Sequence, residues 1–228
     1  MIAVGSDDPV ERARAFERLV RVYWKPVYKH LRVRWRLPDE QAADLTQGFF
    51  ARALEQRMFS SYDPGRALFR TYLKLCLDRH VLKDAESRQR QKRGGGVVTL
   101  SLDFPAAERE LESLVPPSPD TIESYFDREW TRQLVGMAVA ALRERCEQSG
   151  KQLTFQVFQR YVLEEDSAER PSYAQLAGEL GIKVSDVTNY LAFARREFRR
   201  LLLEQLREIT GSEEELAAEA RALLGGAP

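Results

Sequence analysis

Apolar residues recur along most of this chain at the three-to-four-residue period of an amphipathic helix, and alternate nowhere over a useful length. Phe16, Leu19, Val20, Tyr23 and Val27 form a first stripe, preceded by Asp8 as a helix cap and Pro9 in the first turn. The stripe continues to Leu37 with Lys29, Arg32, Arg34 and Arg36, and Pro26 is expected to kink or divide it. Ala43, Leu45, Phe49, Phe50, Ala53 and Leu54 predict a second helix over Glu40–Met58, and the loop SSYDPGRA follows. A long helix is expected from Leu68 to Lys92, stopped by Gly94–Gly96. Residues 96–118 hold Pro105, Pro116, Pro117 and several carboxylates, and read as a flexible or partly ordered tether. Within it, VVTLSL at 97–102 is the one strand-like stretch. Ser118 and Pro119 then start a second helical block, with helices expected at 121–148, 153–164, 172–180 and 185–207. A short amphipathic helix at 212–224 carries its own cap, Ser212. The fold class is therefore all-α: a module at 8–95, a linker at 96–118, a module at 119–207 and an extension at 208–228.

The second module ends in PSYAQLAGELGIKVSDVTNYLAFARREFRRLLLEQLR, residues 171–207. Ser172 stands where an N-cap belongs, Gly181 where the chain turns with positive φ, and Ser185 where a second helix is capped. Ala177, Gly181 and Val187 have the spacing of a helix-turn-helix, and Leu176, Leu180, Ile182 and Leu191 supply its small core. That unit is built to lay one helix in the major groove of DNA. An ordinary helical hairpin is the plain alternative.

Charge changes the picture through its distribution. The formal net charge is zero, but residues 1–93 carry 20 Lys and Arg against 12 Asp and Glu, and residues 94–130 carry 2 against 8. Residues 171–207 carry 6 against 4, and the end from Glu208 carries 1 against 5. A zero sum thus leaves room for a local positive field able to meet nucleic acid. Cys76 and Cys146 fall on apolar helical faces without metal spacing, as buried reduced thiols of a cytoplasmic protein would. His30 and His80 are too few for a metal cluster, and no cofactor, catalytic triad or phosphate-cradling loop is called for. No apolar run reaches membrane-span length and no signal peptide is visible, so no membrane insertion is expected.

Two helical modules, an acidic tether and a closing helix-turn-helix resemble the bacterial RNA polymerase sigma factors of the extracytoplasmic-function (ECF) type. The matching segments are AADLTQGFFARAL at 42–54, FRTYLKLCLDR at 69–79 and FARREFRRLL at 193–202. The resemblance implies that 8–95 is the promoter-melting region 2 and 119–207 the −35-reading region 4. It implies a non-enzymatic protein that binds core RNA polymerase through the β′ coiled coil and the β flap. It implies recognition of the −10 and −35 elements of promoter DNA, and an anti-sigma factor as the usual restraint.

On that reading, Lys183, Ser185, Asp186, Thr188 and Asn189 face the −35 bases, and Arg195, Arg196 and Arg199 face the phosphates. Tyr190, Ala192 and Phe193 stand where the family tends to place Arg or His, so free DNA affinity should be low. Melting needs a basic surface and an aromatic pocket for an unstacked base. Phe59, Tyr62 and Arg66 in the loop, with Arg70, Tyr72, Lys74, Arg79 and Lys83 on the next helix, have that chemistry. Packing of Phe59 and Tyr62 on the core is the competing role for these two rings.

The polymerase-docking face would comprise Asp39, Glu40, Asp44, Leu45, Gln47 and Phe50. It is poor in charge, with Gly48 where the family places an acid and Ala42 and Ala43 nearby. Thr46 sits inside this motif, so a Ser/Thr kinase acting there would supply the missing negative charge; Ser60 and Ser61 are the other acceptors. Two other classes fit parts of the chain. A dimeric helix-turn-helix regulator would bind a palindromic site without polymerase, and an interaction adaptor would support no promoter-dependent transcription.

Overall fold

The computed structural model describes residues 8–88, 101–112, 119–164 and 171–225. Among them stand nine α-helices and no strand, so the all-α expectation holds: α1 Pro9–Val33, α2 Asp39–Glu55, α3 Phe69–Arg88, α4 Phe104–Glu112, α5 Pro119–Gln148, α6 Gln152–Phe158, α7 Tyr173–Leu180, α8 Val184–Ile209 and α9 Glu213–Leu224. Ser118, the glycines at 94–96 and all but the last two residues of the strand-like stretch at 97–102 lie outside the described residues. No described helix is long and apolar enough to cross a membrane, and no described group of His, Cys, Asp or Glu could hold a metal ion.

Contacts gather the chain into two units: residues 1–133 with 206–228, and residues 134–205. α5 and α8 each contribute to both. In the first unit α1 is capped as its sequence predicts, with the Asp8 carboxylate accepting from the Val10 N–H at 2.9 Å. Pro26 does not divide α1, which continues to Val33. The core is aromatic. Tyr23 on α1, Phe49 and Phe50 on α2, Phe69 on α3 and Phe126 and Trp130 on α5 are all buried. Their rings meet edge to face: Phe49 lies 5.2 Å from Phe50, and Tyr23 5.6 Å from Phe69.

Over 104–112 the expected tether is ordered as a helix. α4 lies on α1, with Phe104 against Trp24 at 5.6 Å and Tyr28 at 5.1 Å. Its acids answer the bases of α1. Glu108 accepts from Arg32 and from the Tyr28 hydroxyl, and Glu110 accepts from Lys25 at 2.6 Å and Lys29 at 2.9 Å. Lys29, only 1% exposed, also meets Glu129 of α5 at 2.8 Å. A buried ammonium persists only where carboxylates compensate its lost hydration.

The second unit is the helix-turn-helix with its support. Leu142, Cys146, Phe155, Phe158 and Ala194 form one cluster, and Val157, Leu176, Ala177, Val187 and Leu191 another. α6 runs into a π turn over Gln159–Leu163. α7 opens on a full capping box: Ser172 Oγ accepts from the Gln175 N–H at 3.2 Å, and Gln175 Oε1 accepts from the Ser172 N–H at 2.7 Å. Gly181 ends it at φ +65°, in the left-handed region that favours glycine. α8 starts one residue earlier than the spacing predicts. Ser185 lies inside its first turn rather than capping it, and the Asp186 carboxylate accepts from the Lys183 N–H at 3.2 Å. Cys76 and Cys146 are free and buried, and burial pushes both thiols up.

Candidate nucleic-acid interface

The loop between α2 and α3 is shaped by one left-handed residue. Arg57 at φ +48° reverses the chain into a 3-10 turn over Met58–Ser61. That turn drives Phe59 inward. The ring is 3% exposed and packs on Phe69 at 5.3 Å, Phe49 at 6.3 Å and Phe16 at 6.5 Å. Phe59 is therefore a core anchor, and its expected role as an open platform for a base is withdrawn.

Tyr62 has a different setting. Its ring stands edge-on to Phe69 at 5.0 Å and tilted against Tyr72 at 5.4 Å, while its hydroxyl donates to the Ala67 carbonyl at 3.0 Å. The Asp63 carboxylate accepts from the Gly65 N–H at 3.0 Å and pairs with Arg66 at 3.1 Å, which fixes the Asp-Pro-Gly turn. The Tyr72 hydroxyl donates to the Met58 carbonyl at 3.0 Å and lies 2.9 Å from Ser61 Oγ. Burial raises both tyrosine hydroxyls above their ordinary range, so both rings stay neutral donors.

These residues wall a cavity of about 660 Å³, lined by Tyr62, Arg66, Thr71, Tyr72, Lys74 and Asp78 among others. Its size suits a flat heterocycle, with two phenol rings beside it and two cations at its lip. A second recess of about 440 Å³ lies across Tyr72 and brings Arg52, Arg57, Arg79 and Lys83 around His80 and Cys76. Burial, and then the Arg52 charge, hold His80 below its ordinary range. Arg79 and Lys83 are exposed and Lys74 half-buried on α3, so three of the four expected α3 cations reach the surface. Arg70 does not. It is enclosed by Glu219 at 2.9 Å, Asp127 at 3.2 Å and the Trp130 ring at 4.9 Å.

On α2 the expected docking residues separate by face. Asp39, Glu40 and Asp44 are exposed and Gln47 is half-buried. Leu45 at 4% and Phe50 at 0% are core, so they hold the helix in place and offer no surface. Thr46 is 0% exposed and its hydroxyl donates to the Ala42 carbonyl at 2.7 Å. A kinase has no access to it in this structure, which corrects its place as the leading acceptor. Ser60 and Ser61 are exposed.

In the second unit Lys183, Ser185, Thr188 and Asn189 are exposed on one end of α8, while Asp186 is half-buried by its capping role. Arg195 and Arg196 are exposed, each near an aromatic ring, Tyr161 at 5.8 Å and Phe193 at 5.7 Å. Arg199 is half-buried. Arg200 is tied to Glu197 and Glu204.

Sequence reasoning missed Glu215 and Glu219. Both are buried, at 4% and 2% exposure. The signal was available in their i, i+4 spacing, which puts two acids on the face that also carries Leu216. It reads as an ordinary solvated acidic face until their partners are seen.

A family model described as ECF sigma factor matches residues 8–204. No curated protein and no solved structure matches the chain.

Proposed function

The chain belongs to the ECF sigma factor family, and from that premise we propose that it binds core RNA polymerase in the cytoplasm and directs it to −10 and −35 promoter elements. The match over residues 8–204 carries the reading, because it spans both units. Region 2, at 8–95, falls within the first unit. Its exposed Asp39, Glu40 and Asp44, with Gln47, dock on the β′ coiled coil. The cavity beside Tyr62 and Tyr72 takes an unstacked −10 base, with Arg66 and Lys74 at its lip and Arg79 and Lys83 along the strand. Region 4, anchored at the β flap, presents Lys183, Ser185, Thr188 and Asn189 to the −35 bases, with Arg195 and Arg196 at phosphates.

Low charge on the docking face calls for restraint or help from a partner. An anti-sigma factor supplies the first. A Ser/Thr kinase acting on exposed Ser60 or Ser61, rather than on Thr46, supplies the second. Transcription of genomic fragments by purified core polymerase, with and without this protein, tests the whole reading. New specific start sites are expected with the protein present. Their absence, both before and after kinase treatment, overturns it.

A further inference from the structure

The surface that would receive the −10 strand already holds a piece of this chain. α9 and the turn before it lie outside the family match and pack on the loop and α3. At Gly211 the approach is so close that a Cβ would stand 2.9 Å from Tyr62 Cε1 and 3.3 Å from Pro64 Cβ. Glu215 accepts from the Gly211 N–H at 2.6 Å and from the Phe69 N–H, at the start of α3, at 2.5 Å. Glu219 closes on Arg70 at 2.9 Å, and the same guanidinium meets Asp127 at 3.2 Å and lies over the Trp130 ring. Ser212 caps α9 by accepting from the Glu215 N–H at 3.1 Å.

A segment that only braced the fold would be expected to bury Leu and Ala at these two positions. A buried ion pair seldom improves on packed apolar residues, because desolvation consumes its Coulombic gain. Glu219 is also incompletely satisfied, since its Oε2 is buried with no hydrogen-bond partner among the described residues. What the two carboxylates do supply is anionic oxygen at a guanidinium and at a helix-start N–H, the groups that hold a phosphate. Tyr62 and Arg70, both residues of the expected −10 surface, are engaged by this contact.

We propose that α9 is an acidic occupant, in cis, of the surface beside the Tyr62 cavity, which keeps Arg70 and the start of α3 from the DNA strand until it is displaced. The proposal rests on the sigma reading for the identity of the competitor, a single-stranded stretch of promoter DNA. A closed state populated roughly tenfold over the open one weakens apparent DNA affinity by about the same factor.

Fluorescence anisotropy of the full-length protein with a short fluorescein-labelled single-stranded DNA of mixed sequence tests it. Glu215→Ala with Glu219→Ala deletes the contacts to Arg70 and to the Phe69 and Gly211 N–H groups and should bind about tenfold more tightly than the unaltered chain. Glu213→Ala with Glu214→Ala removes the same charge from exposed positions of α9 and should leave affinity unchanged. Adding Arg70→Ala to the first pair should cancel the gain. Equal effects of the two alanine pairs, or no gain from the first, overturn the proposal. Hydrogen exchange at the Phe69 amide gives a reading that needs no variant to fold. It should be slow in the free protein and faster when that DNA is saturating, and protection unmoved by DNA overturns the proposal. Failure to start transcription would remove promoter DNA as the natural competitor, yet leave both of these readouts to decide whether α9 opens.

Discussion

At Thr46 the hydroxyl is spent on the Ala42 carbonyl and the side chain meets no solvent. An acidic substitution there buries a carboxylate without a partner, so Thr46→Glu should lower unfolding free energy by roughly 3 kcal/mol or more. Thr46→Val keeps the shape and should cost no more than about 1 kcal/mol. Urea unfolding separates the two, and it matters because loss of polymerase binding in the Glu variant would then report a damaged helix rather than a switch. Gly48 invites the opposite change. A Cβ there would come no nearer than 3.9 Å to His80 Nε2, an ordinary contact, and the position lies inside α2. Gly48→Ala should therefore stabilise by about 0.5–1 kcal/mol in the same assay. Lys29 is the least replaceable cation. With Lys29→Met, Glu129 at 3% exposure keeps only the half-exposed Arg132 as a counter-charge, and a loss of about 3 kcal/mol is expected. Glu129→Gln in the same chain should recover part of it.

Among the helices, what local chemistry governs was legible and what tertiary partners govern was not. The Asp8–Pro9 start of α1 and the Ser172 cap and Gly181 stop of α7 depend on neighbours in sequence, and each stands as its spacing predicts. Gly181→Ala should consequently cost about 1 kcal/mol, from a Cβ in left-handed backbone, although nothing lies within 4 Å of that Cβ. Thermal unfolding of the full chain checks it. α4 escaped prediction because a short run of prolines and acids gains helical structure only by laying Phe104 and Glu108 on α1. Phe59 was ambiguous for a related reason. An aromatic in a polar loop is either a platform or an anchor, and the left-handed Arg57 that turns it inward carries no sequence signature of its own. The candidate site was thus readable as a set of residue types, while its division into core and surface needed the fold.

For the molecule as a whole, zero net charge arises partly by internal answering: acidic α4 packs on α1 and acidic α9 on α3, both helices of the basic stretch 1–93. The two respond to pH with opposite signs. Glu108 is held below the ordinary carboxylate range by the Arg32 guanidinium, and Glu110 is lowered because Lys25 and Lys29 outweigh its burial. Their contribution is present above the ordinary carboxylate range and is lost as pH falls through the lowered values. Glu219 is pushed up to about 7, chiefly by burial, with Arg70 opposing and Glu215 and Asp127 adding to the rise. The rings of Tyr23 and Tyr62 face the same carboxylate. A released α9 would titrate Glu219 near the ordinary value of about 4.3, so the seated helix binds the proton more tightly. Seating is then firmest below that value and weakens as pH rises through about 7, by an amount on the order of 3 kcal/mol when complete. The Phe69 amide, whose N–H the Glu215 carboxylate accepts, reports it. Its protection, corrected for intrinsic exchange, should fall between about pH 5.5 and 8, and Glu219→Gln should flatten the slope. Protection that rose with pH over this window would show that the Arg70–Glu219 pair outweighs the cost of burying its charge, and would reverse the assignment.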